Sequence, residues 1–413
     1  MSAISWIQER GRGAPIAAFL VALVVYGAVA GSRLLTQSPD PHFVAQASAW
    51  LHGRLYLDRW PAGADDPAVV GTKFHVAFPP FPAAVFVPVV LVFGPAAGDV
   101  IVTVLLAALA PALLLVVLRR LRERGLSTRS PGDDLWLAAL LSFGTVLFFS
   151  SVQGRVWYTA HVIAVDLCLL YVWASIDAGH PLLAGVCVGL GFMTRAPTLF
   201  MFPLFAEEMW RSGHFKRWRR WAAFVAPVMV AGLLAAWHNY ARFGDASEFG
   251  YSYLTVRQQH DITTYGLFGP RYLARNLIAA FGLLPGVTAG PPYVSISGHG
   301  LAMWVTTPAL LLLVRSWPRS WFQYGLWTTV ASVGVWTLLY QNTGWFQFGY
   351  RFSLDYIVFL ILILAMDARP LTRVAYALIV VSIVINTFGA VTFARYPQFY
   401  RADLAAYRAL VHD

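Results

Sequence analysis

Arg195 interrupts the long apolar segment LLAGVCVGLGFMTRAPTLFMFPLF, and its guanidinium is the first candidate for a functional group in this chain. Insertion scales assign a cost of about 2.5 to 3.5 kcal/mol to an arginine at a helix centre, and this side chain stays protonated in proteins. The guanidinium should therefore face protein, water or an anion. The segment predicts an anion-binding arginine, with an internal salt bridge or a snorkelling side chain as the alternatives.

Other basic side chains lie beside apolar segments in the same way. Arg351, in FGYRFSLD, could bind an anion or pair with Asp355 four residues later. Arg155 and His161 border the short segment SVQGRVWY, where a hydrogen-bonded helix histidine is the alternative for His161. Lys73 is one of only two lysines and precedes a Pro-Pro pair. We predict ligand-binding roles for Arg195, Arg351, Lys73 and Arg155, and a substrate contact at His161.

A carboxylate that could act as a general base occurs in SPDPHFVAQASAWLHGRLYLDRW. The apolar positions from Phe43 to Leu51 have helical spacing, which predicts an amphipathic helix at the membrane interface. Asp40 precedes this helix and could cap its N-terminus, with Pro41 at the first helical position, or serve as a catalytic base. His42 is the alternative base. Asp58 is a weaker candidate, because a solvated loop carboxylate is the favoured explanation for it.

The segment 240–300 contains NYARFGDASEFGYSYLTVRQQHDITTYGLFGPRYLARNL, which is rich in aromatic and basic residues. Its rings could stack on a ligand, and Arg242 and Arg271 could bind the polar groups of that ligand. An interfacial aromatic belt with charged anchors is the alternative interpretation. GPRYLARNLIAAFGLLPG predicts a further surface helix.

The amino-acid composition indicates that these groups lie in a membrane protein. Of 413 residues, 58% are hydrophobic and only 12% are charged, which is typical of a polytopic membrane protein. The net charge of +10 comes from short clusters between apolar segments, so it favours loop anchoring and argues against nucleic-acid binding. Both cysteines, Cys168 and Cys187, lie in apolar segments and predict neither a loop disulfide nor a thiolate metal site.

We predict an all-α fold in which residues 1–413 form one integral membrane domain of about eleven transmembrane helices, with interfacial helices in the first and fourth external loops. Apolar runs mark nine of these helices, at 16–35, 97–118, 135–150, 158–176, 221–239, 301–315, 321–340, 352–367 and 373–393. The proline-rich stretch 76–94 is interpreted as re-entrant, and the segment around Arg195 as two short helices.

Loop charges orient these helices, since basic residues favour the cytoplasmic side. The clusters predicted to be cytoplasmic are Arg10/Arg12, the arginines of 119–129, the basic residues of 211–220, Arg315/Arg319 and Arg369/Arg373. The segments 36–96 and 240–300 then form the two long external loops. Such loops are often functional.

Several of these segments together resemble the GT-C superfamily of membrane glycosyltransferases, in particular bacterial relatives of protein O-mannosyltransferases and aminoarabinose transferases. FHVAFPPFPAAVFVPVVLVFG is similar to the family's Pro-Pro segment ending in Phe-Gly, and GVCVGLGFMTRAPTLFMFPLF to its Gly-Leu segment with a basic residue before Pro. WHNYARFGDASEFGYSY resembles an Asn-Tyr-x-Arg-Phe-Gly stretch, and FGYRFSLDYIVFL the late Gly-x-Arg segment.

The resemblance implies transfer of a sugar from a polyprenyl-phosphate donor to an envelope acceptor, which could be glycan, lipid or protein, at the outer face of the inner membrane. On this resemblance, Asp40 matches the acidic residue proposed as base. The candidate ligands of the donor phosphate are Arg195, Arg351, Lys73 and Arg155. Phe78 occupies the position where aminoarabinose transferases place a phosphate-binding lysine, so Lys73 departs from that pattern. No cofactor is expected, and we predict metal-independent transfer. A lipid-linked sugar flippase or another transporter is the alternative function.

Overall fold

A computed structural model describes residues 13–411, and most of these residues are helical. Arg10 and Arg12, which the charge pattern places in the cytoplasm, lie outside the described residues. Within 13–411, five helices are long and apolar enough to cross a membrane: Gly13–Arg33, Asp99–Glu123, Val156–Ala178, Trp218–Phe243 and Arg373–Thr392. Three shorter apolar helices are Phe81–Phe93, Pro181–Phe192 and Ile357–Met366.

The helices are numbered in chain order. The first eight are α1 (Gly13–Ala30), α2 (His42–Leu51), α3 (Phe81–Phe93), α4 (Asp99–Glu123), α5 (Pro131–Phe143), α6 (Leu147–Ser151), α7 (Val156–Ser175) and α8 (Pro181–Phe192). The others are α9 (Pro203–Arg211), α10 (Trp218–Phe243), α11 (Gln259–Tyr265), α12 (Leu273–Leu277), α13 (Met303–Thr306), α14 (Trp321–Leu338), α15 (Ile357–Met366), α16 (Arg373–Thr392) and α17 (Leu404–Arg408).

Helix starts follow local sequence signals. Helices α5, α8 and α9 begin with proline, whose missing N–H costs nothing in the first turn. The Ser130 hydroxyl accepts a hydrogen bond from the Asp133 N–H at the start of α5, and the Thr372 hydroxyl accepts one from the Ala375 N–H at the start of α16. Proline and polar caps thus define several boundaries within the apolar sequence.

The core of the molecule is mainly apolar. Every residue of α15 is buried, and α7 is buried along most of its length. By contrast, α1 and α10 expose apolar side chains such as Ile16, Val24 and Leu233. An apolar outer surface is stable in lipid, where the hydrophobic effect does not oppose it.

Short helices and turns surround Arg195. Helix α8 ends at Phe192, Arg195 has extended backbone, and a 3₁₀ segment (Ala196–Met201) leads into α9. The prediction of two short helices is therefore confirmed. Helix α3 has 13 residues, or about 20 Å at 1.5 Å per residue, which is less than the roughly 30 Å hydrocarbon core.

The count of about eleven spans stays a prediction, because three expected helices are broken. The expected helix 135–150 is interrupted between α5 and α6, and 301–315 contains α13 and a 3₁₀ segment that begins at Pro308. The expected helix 352–367 is the 3₁₀ segment Arg351–Asp355 followed by α15. Gly144 follows the end of α5 and Pro308 begins the 3₁₀ segment of the second pattern, and hydropathy alone reveals neither interruption.

Residues 13–411 include two small sheets, so the fold is mainly helical rather than all-α; all their strands but β5 lie in the predicted external segments. Strands β1 (Ala68–Val70) and β2 (Lys73–His75) are antiparallel, with Val69 paired to Phe74. Strand β4 (Val294–Ser297) pairs antiparallel with β3 (Gly286–Val287) and parallel with β5 (Tyr400–Arg401). Helices α2 and α12 form where surface helices were predicted; their position at an interface stays a prediction.

Candidate functional site

A cavity of about 790 Å³ lies at one end of the helix bundle. Its volume is within the range of small-molecule sites. The lining residues come from the segments 65–66, 78–79, 155–160, 192–200, 247–258, 267–268, 336–346, 351–352 and 402–407. The two predicted external loops and the ends of α7, α8 and α14 therefore meet around one space.

Arg195 lies in the cavity wall and is held by a carboxylate behind it. Its Nε and Nη2 donate to the two Asp355 carboxylate oxygens at 3.0 and 2.8 Å. Asp355 is fully buried and also lies 3.3 Å from the His161 Nδ1. Such a bidentate pair fixes the guanidinium plane while its other edge remains available. Asp355 thus pairs with Arg195 rather than with Arg351.

Arg351 is buried, with 4% of its surface exposed, and lines the cavity. Its Nη1 donates to the Gly344 carbonyl and, at 3.2 Å, to the Phe346 carbonyl. No carboxylate among the described residues forms an ion pair with it. Backbone carbonyls orient a guanidinium but do not cancel its charge, so Arg351 is a buried cation without a carboxylate counterion among the described residues.

A third arginine that lines the cavity is Arg155, which precedes α7. Its guanidinium contacts the Asp40 carboxylate, which does not line the cavity. Its Nη1 lies 3.4 Å from the Asp40 Oδ2. The Val156 N–H donates to the Asp40 carbonyl at 3.2 Å, which joins the first loop to the start of α7. Arg155 therefore stands between Asp40 and the cavity.

Asp40 and His42 both hold the backbone of Asp65. The Asp65 N–H donates to the Asp40 Oδ1 at 2.9 Å, and the His42 Nε2 lies 2.8 Å from the Asp65 carbonyl oxygen. Asp40 is 1% exposed and His42 is 0% exposed. The cap interpretation of Asp40 is wrong, because α2 begins at His42 after Pro41 and takes no side-chain cap. Asp40 instead stabilises a loop 25 residues away.

Asp66 and its neighbour Asp65 both line the cavity, and Asp66 is the more buried of the two. Its backbone has φ of 58°, a left-handed conformation that is uncommon for a residue other than glycine. The Trp157 Nε1 donates to its Oδ2 at 3.0 Å. Burial raises the pKa of the Asp66 carboxyl above its ordinary value, as it does the pKa of Asp40. Strained backbone of this kind is frequent at functional sites.

The remaining cavity wall is largely aromatic. Phe200 and Trp336 stack with ring centroids 4.5 Å apart, and Phe268 meets Trp336 edge to face at 5.5 Å. Tyr340 and Tyr251 lie beside Asp66 and Arg195. One part of the cavity is therefore apolar and the other carries charge, as an amphipathic ligand would require.

The other sequence candidates lie outside the lining. His161 is fully buried behind Arg195 and Asp355. The Lys73 Nζ lies over the Tyr56 ring at 3.7 Å, and Arg271 stacks on Tyr265. Arg242 donates from Nη1 to the Val76 carbonyl at 2.7 Å and so anchors the chain before the Pro-Pro pair. These contacts are structural and do not bring the four side chains to the cavity.

Three charged lining residues were not singled out from the sequence: Asp65, Asp66 and Arg257. The only local signal for the acids is their adjacency in AGADDP, which resembles any polar turn. Among residues 13–411, no group of three or more His, Cys, Asp or Glu side chains is arranged to hold a metal ion. Metal-independent transfer stays a prediction.

Comparison of the chain with protein-family models gives no match, and comparison with curated proteins gives none. Among solved structures, the chain is similar to the apo crystal structure of the Archaeoglobus fulgidus oligosaccharyltransferase, with 12% identity and a TM-score of 0.49. The similarity covers 94% of this chain and 56% of that one, so the chain spans little more than half of that structure. The family resemblance of the motifs remains a proposal that must rest on this chain's own residues.

Proposed function

We propose that this chain is a membrane glycosyltransferase of the GT-C type, which moves a sugar from a polyprenyl-phosphate donor to an acceptor hydroxyl at the extracytoplasmic membrane face. The acceptor is an envelope glycan, lipid or protein. The proposal accounts for a cavity that combines apolar walls, several guanidinium groups and carboxylates at one end of a bundle of apolar helices.

One observation carries the proposal: Arg351 is buried at the cavity and has no carboxylate partner among the described residues. A phosphate group in the cavity would supply the missing negative charge. Arginine suits this role because it offers several donors in a fixed plane and keeps its proton. The phosphate would then leave as a charge-stabilised group when its bond to the sugar breaks.

Arg195 and Arg155 complete the proposed phosphate site. Asp355 orients Arg195 from behind, and Arg155 carries only a long contact to Asp40. Each can donate to a phosphate oxygen from the cavity wall. The aromatic walls around Phe200 and Trp336 would receive the apolar prenyl chain and the sugar ring.

The proposed reaction is one displacement at the anomeric carbon. A carboxylate takes the proton from the acceptor hydroxyl as the oxygen attacks that carbon, and the bond between carbon and phosphate oxygen breaks. The electron pair of the broken bond stays on the phosphate, which the arginines stabilise. Inversion of configuration follows from a single displacement and is the expectation that the family resemblance gives.

We assign the base role to Asp66 and a positioning role to Asp40 and His42. Asp66 faces the cavity, whereas the side chains of Asp40 and His42 are directed to the Asp65 backbone. A base must come within hydrogen-bond reach of the proton that it takes. Asp40, the base implied by the family resemblance, reaches the cavity only if Arg155 moves away from it.

Substitution by asparagine separates these two roles. Asp40→Asn keeps an oxygen that can accept from the Asp65 N–H, so this hydrogen bond persists while the charge is lost. We expect Asp66→Asn to lose kcat by at least about 100-fold with donor binding retained, and Asp40→Asn to keep measurable turnover. A folded Asp40→Asn protein without turnover, beside an active Asp66→Asn protein, would return the base role to Asp40.

The activity itself is tested with purified protein, radiolabelled polyprenyl-phosphate sugars and crude envelope acceptors. Label should pass to an acceptor with the wild-type chain and not with Arg351→Gln. Movement of the donor across liposome membranes without any transfer would instead assign the chain to the flippases. Binding of the donor by neither protein would reject the phosphate site.

The same assay tests the predicted independence of metal. Transfer should continue in excess chelator, since we expect the arginines to stabilise the leaving phosphate. Loss of activity in chelator that is restored by magnesium or manganese would overturn this prediction.

A further inference from the structure

A second recess, an open groove of about 610 Å³, lies between the ends of α1, α4 and α7. Its lining is Pro15, Val116, Arg119, Arg120, Glu123, Arg124, Trp173 and His180. Three arginines and one glutamate give these side chains a net positive charge. The groove is separate from the cavity of the proposed glycosyl transfer and has no part in it.

Helix α7 connects the two sites and places them at opposite ends of the bundle. Tyr158, near its start, lines the cavity, and Trp173, near its end, lines the groove. Fifteen residues of helix separate them, or about 22 Å along the axis. This distance is most of the roughly 30 Å thickness of a hydrocarbon core, and the loop arginines 119–129 are predicted to be cytoplasmic, so we expect the groove near the opposite head-group layer.

The charges in the groove are only partly neutralised. Arg119 pairs with Glu123 at 2.7 Å, and Arg124 pairs with Asp177. Arg120 forms no ion pair with the described residues; its guanidinium lies 4.4 Å from the Trp173 ring centroid, and its Nη2 donates weakly to the Ile176 carbonyl at 3.4 Å. Stacking on the indole ring holds the guanidinium in place, and the guanidinium can still bind an anion.

Apolar surface runs from the groove along the same helices. Ile16 and Leu20 of α1 are 64% and 51% exposed, and Val116 of α4 is 40% exposed. The groove therefore joins positive charge to apolar helix faces that acyl chains can cover. A phospholipid with an anionic head group has this combination of features, whereas free phosphate would use the charge alone.

We propose that the groove formed by the ends of α1, α4 and α7 binds the head group of an anionic phospholipid, with the phosphate at Arg120 and Arg124 and the acyl chains along α1 and α4. Basic pockets between membrane helices recognise such head groups by charge. The site is a lipid-binding site on the face opposite the proposed catalytic cavity.

Native mass spectrometry of the purified full chain tests this proposal. The protein is titrated with phosphatidylglycerol and with phosphatidylcholine of the same acyl chains, with and without inorganic phosphate. Phosphatidylglycerol should bind more tightly, and Arg120→Gln should weaken it about fivefold, which corresponds to about 1 kcal/mol for one interfacial arginine. Arg120→Lys should restore much of the binding.

Two further variants keep the test independent of folding at Arg120. Glu123→Gln removes the carboxylate of an exposed ion pair and should strengthen phosphatidylglycerol binding. Arg315→Gln changes an exposed arginine outside the groove and should leave binding unchanged. Equal binding of the two lipids, no response to Glu123→Gln, or full displacement by inorganic phosphate would overturn the proposal.

Discussion

At the scale of single residues, the site is defined by which arginines are neutralised and which are not. Arg195 has Asp355, Arg155 has Asp40, and Arg351 has only carbonyl oxygens. Burying a charge without a counterion costs free energy. Proteins retain such a charge mainly where a ligand supplies the opposite charge. Arg351 is therefore the residue whose replacement is most informative.

Arg351→Gln should lower kcat/KM for sugar transfer by about 100-fold or more, since one preorganised donor to a developing oxyanion typically contributes that much. Donor binding should weaken in the same variant. Steady-state kinetics and donor titration measure both effects. Arg59→Gln, at an exposed arginine of the first loop, is the matched control. Equal activity of the two variants would remove Arg351 from the site.

The pH dependence of transfer should report the buried carboxylate. Burial raises the pKa of Asp66, so its base form is lost as pH falls through a value above about 3.9, the ordinary pKa of aspartate. The acidic limb of kcat/KM should lie above that value. Asp66→Asn should abolish the limb together with the activity, whereas Asp65→Asn, at the exposed neighbour, should keep the limb. A limb at the ordinary value would contradict the assignment.

At the scale of elements, the position of Arg195 depends on how closely α8 approaches α10. A Cβ atom added at Gly185 would overlap the Phe224 carbonyl, and one at Gly189 would lie 2.9 Å from the Ala231 Cβ. Glycines spaced four apart let two helix backbones pack tightly. Because α8 ends just before the Arg195 turn, this contact sets where the guanidinium emerges.

Gly185→Ala should destabilise the protein by about 1 to 3 kcal/mol, because the added methyl group overpacks a backbone contact. Gly232→Ala, in α10, adds its methyl group to open space and should be neutral or slightly stabilising through helix propensity. Thermal unfolding in one detergent compares the two variants. A smaller loss of stability at Gly185 than at Gly232 would show that the helices are not in close contact there.

At the scale of the whole molecule, the cavity and the basic groove lie at opposite ends of the bundle, and loop charges predict that the cavity end is external. Both native cysteines, Cys168 and Cys187, are buried, so labelling of an introduced cysteine has little background. A membrane-impermeant maleimide added to intact cells should label Arg59→Cys and not Lys216→Cys. The reverse pattern would invert the orientation, and labelling of both positions would reject the topology.

Part of this organisation could be predicted from the sequence because it depends on local properties. The apolar runs predict a membrane protein. Arg195 and Pro197 predict a break between two short helices, and the helical spacing from Phe43 predicts α2. Arg155, Arg195 and Arg351 are predicted ligand-binding residues because burying an arginine beside apolar segments costs free energy wherever it lies. These inferences need only neighbours along the chain.

Tertiary structure decided which charged residues meet. The sequence offered Asp355 as the partner of Arg351, four residues away, but the chain brings Arg195 to Asp355 from 160 residues away. The sequence offers Asp40 as a cap or a base; its side chain holds the Asp65 backbone rather than a helix end, and the neighbouring Asp66 lines the cavity. The energetic cost of placing a charge in an apolar segment depends on its neighbours along the chain, so the sequence shows it. The ion pairs that offset this cost form between distant segments, so only the packed helices show them.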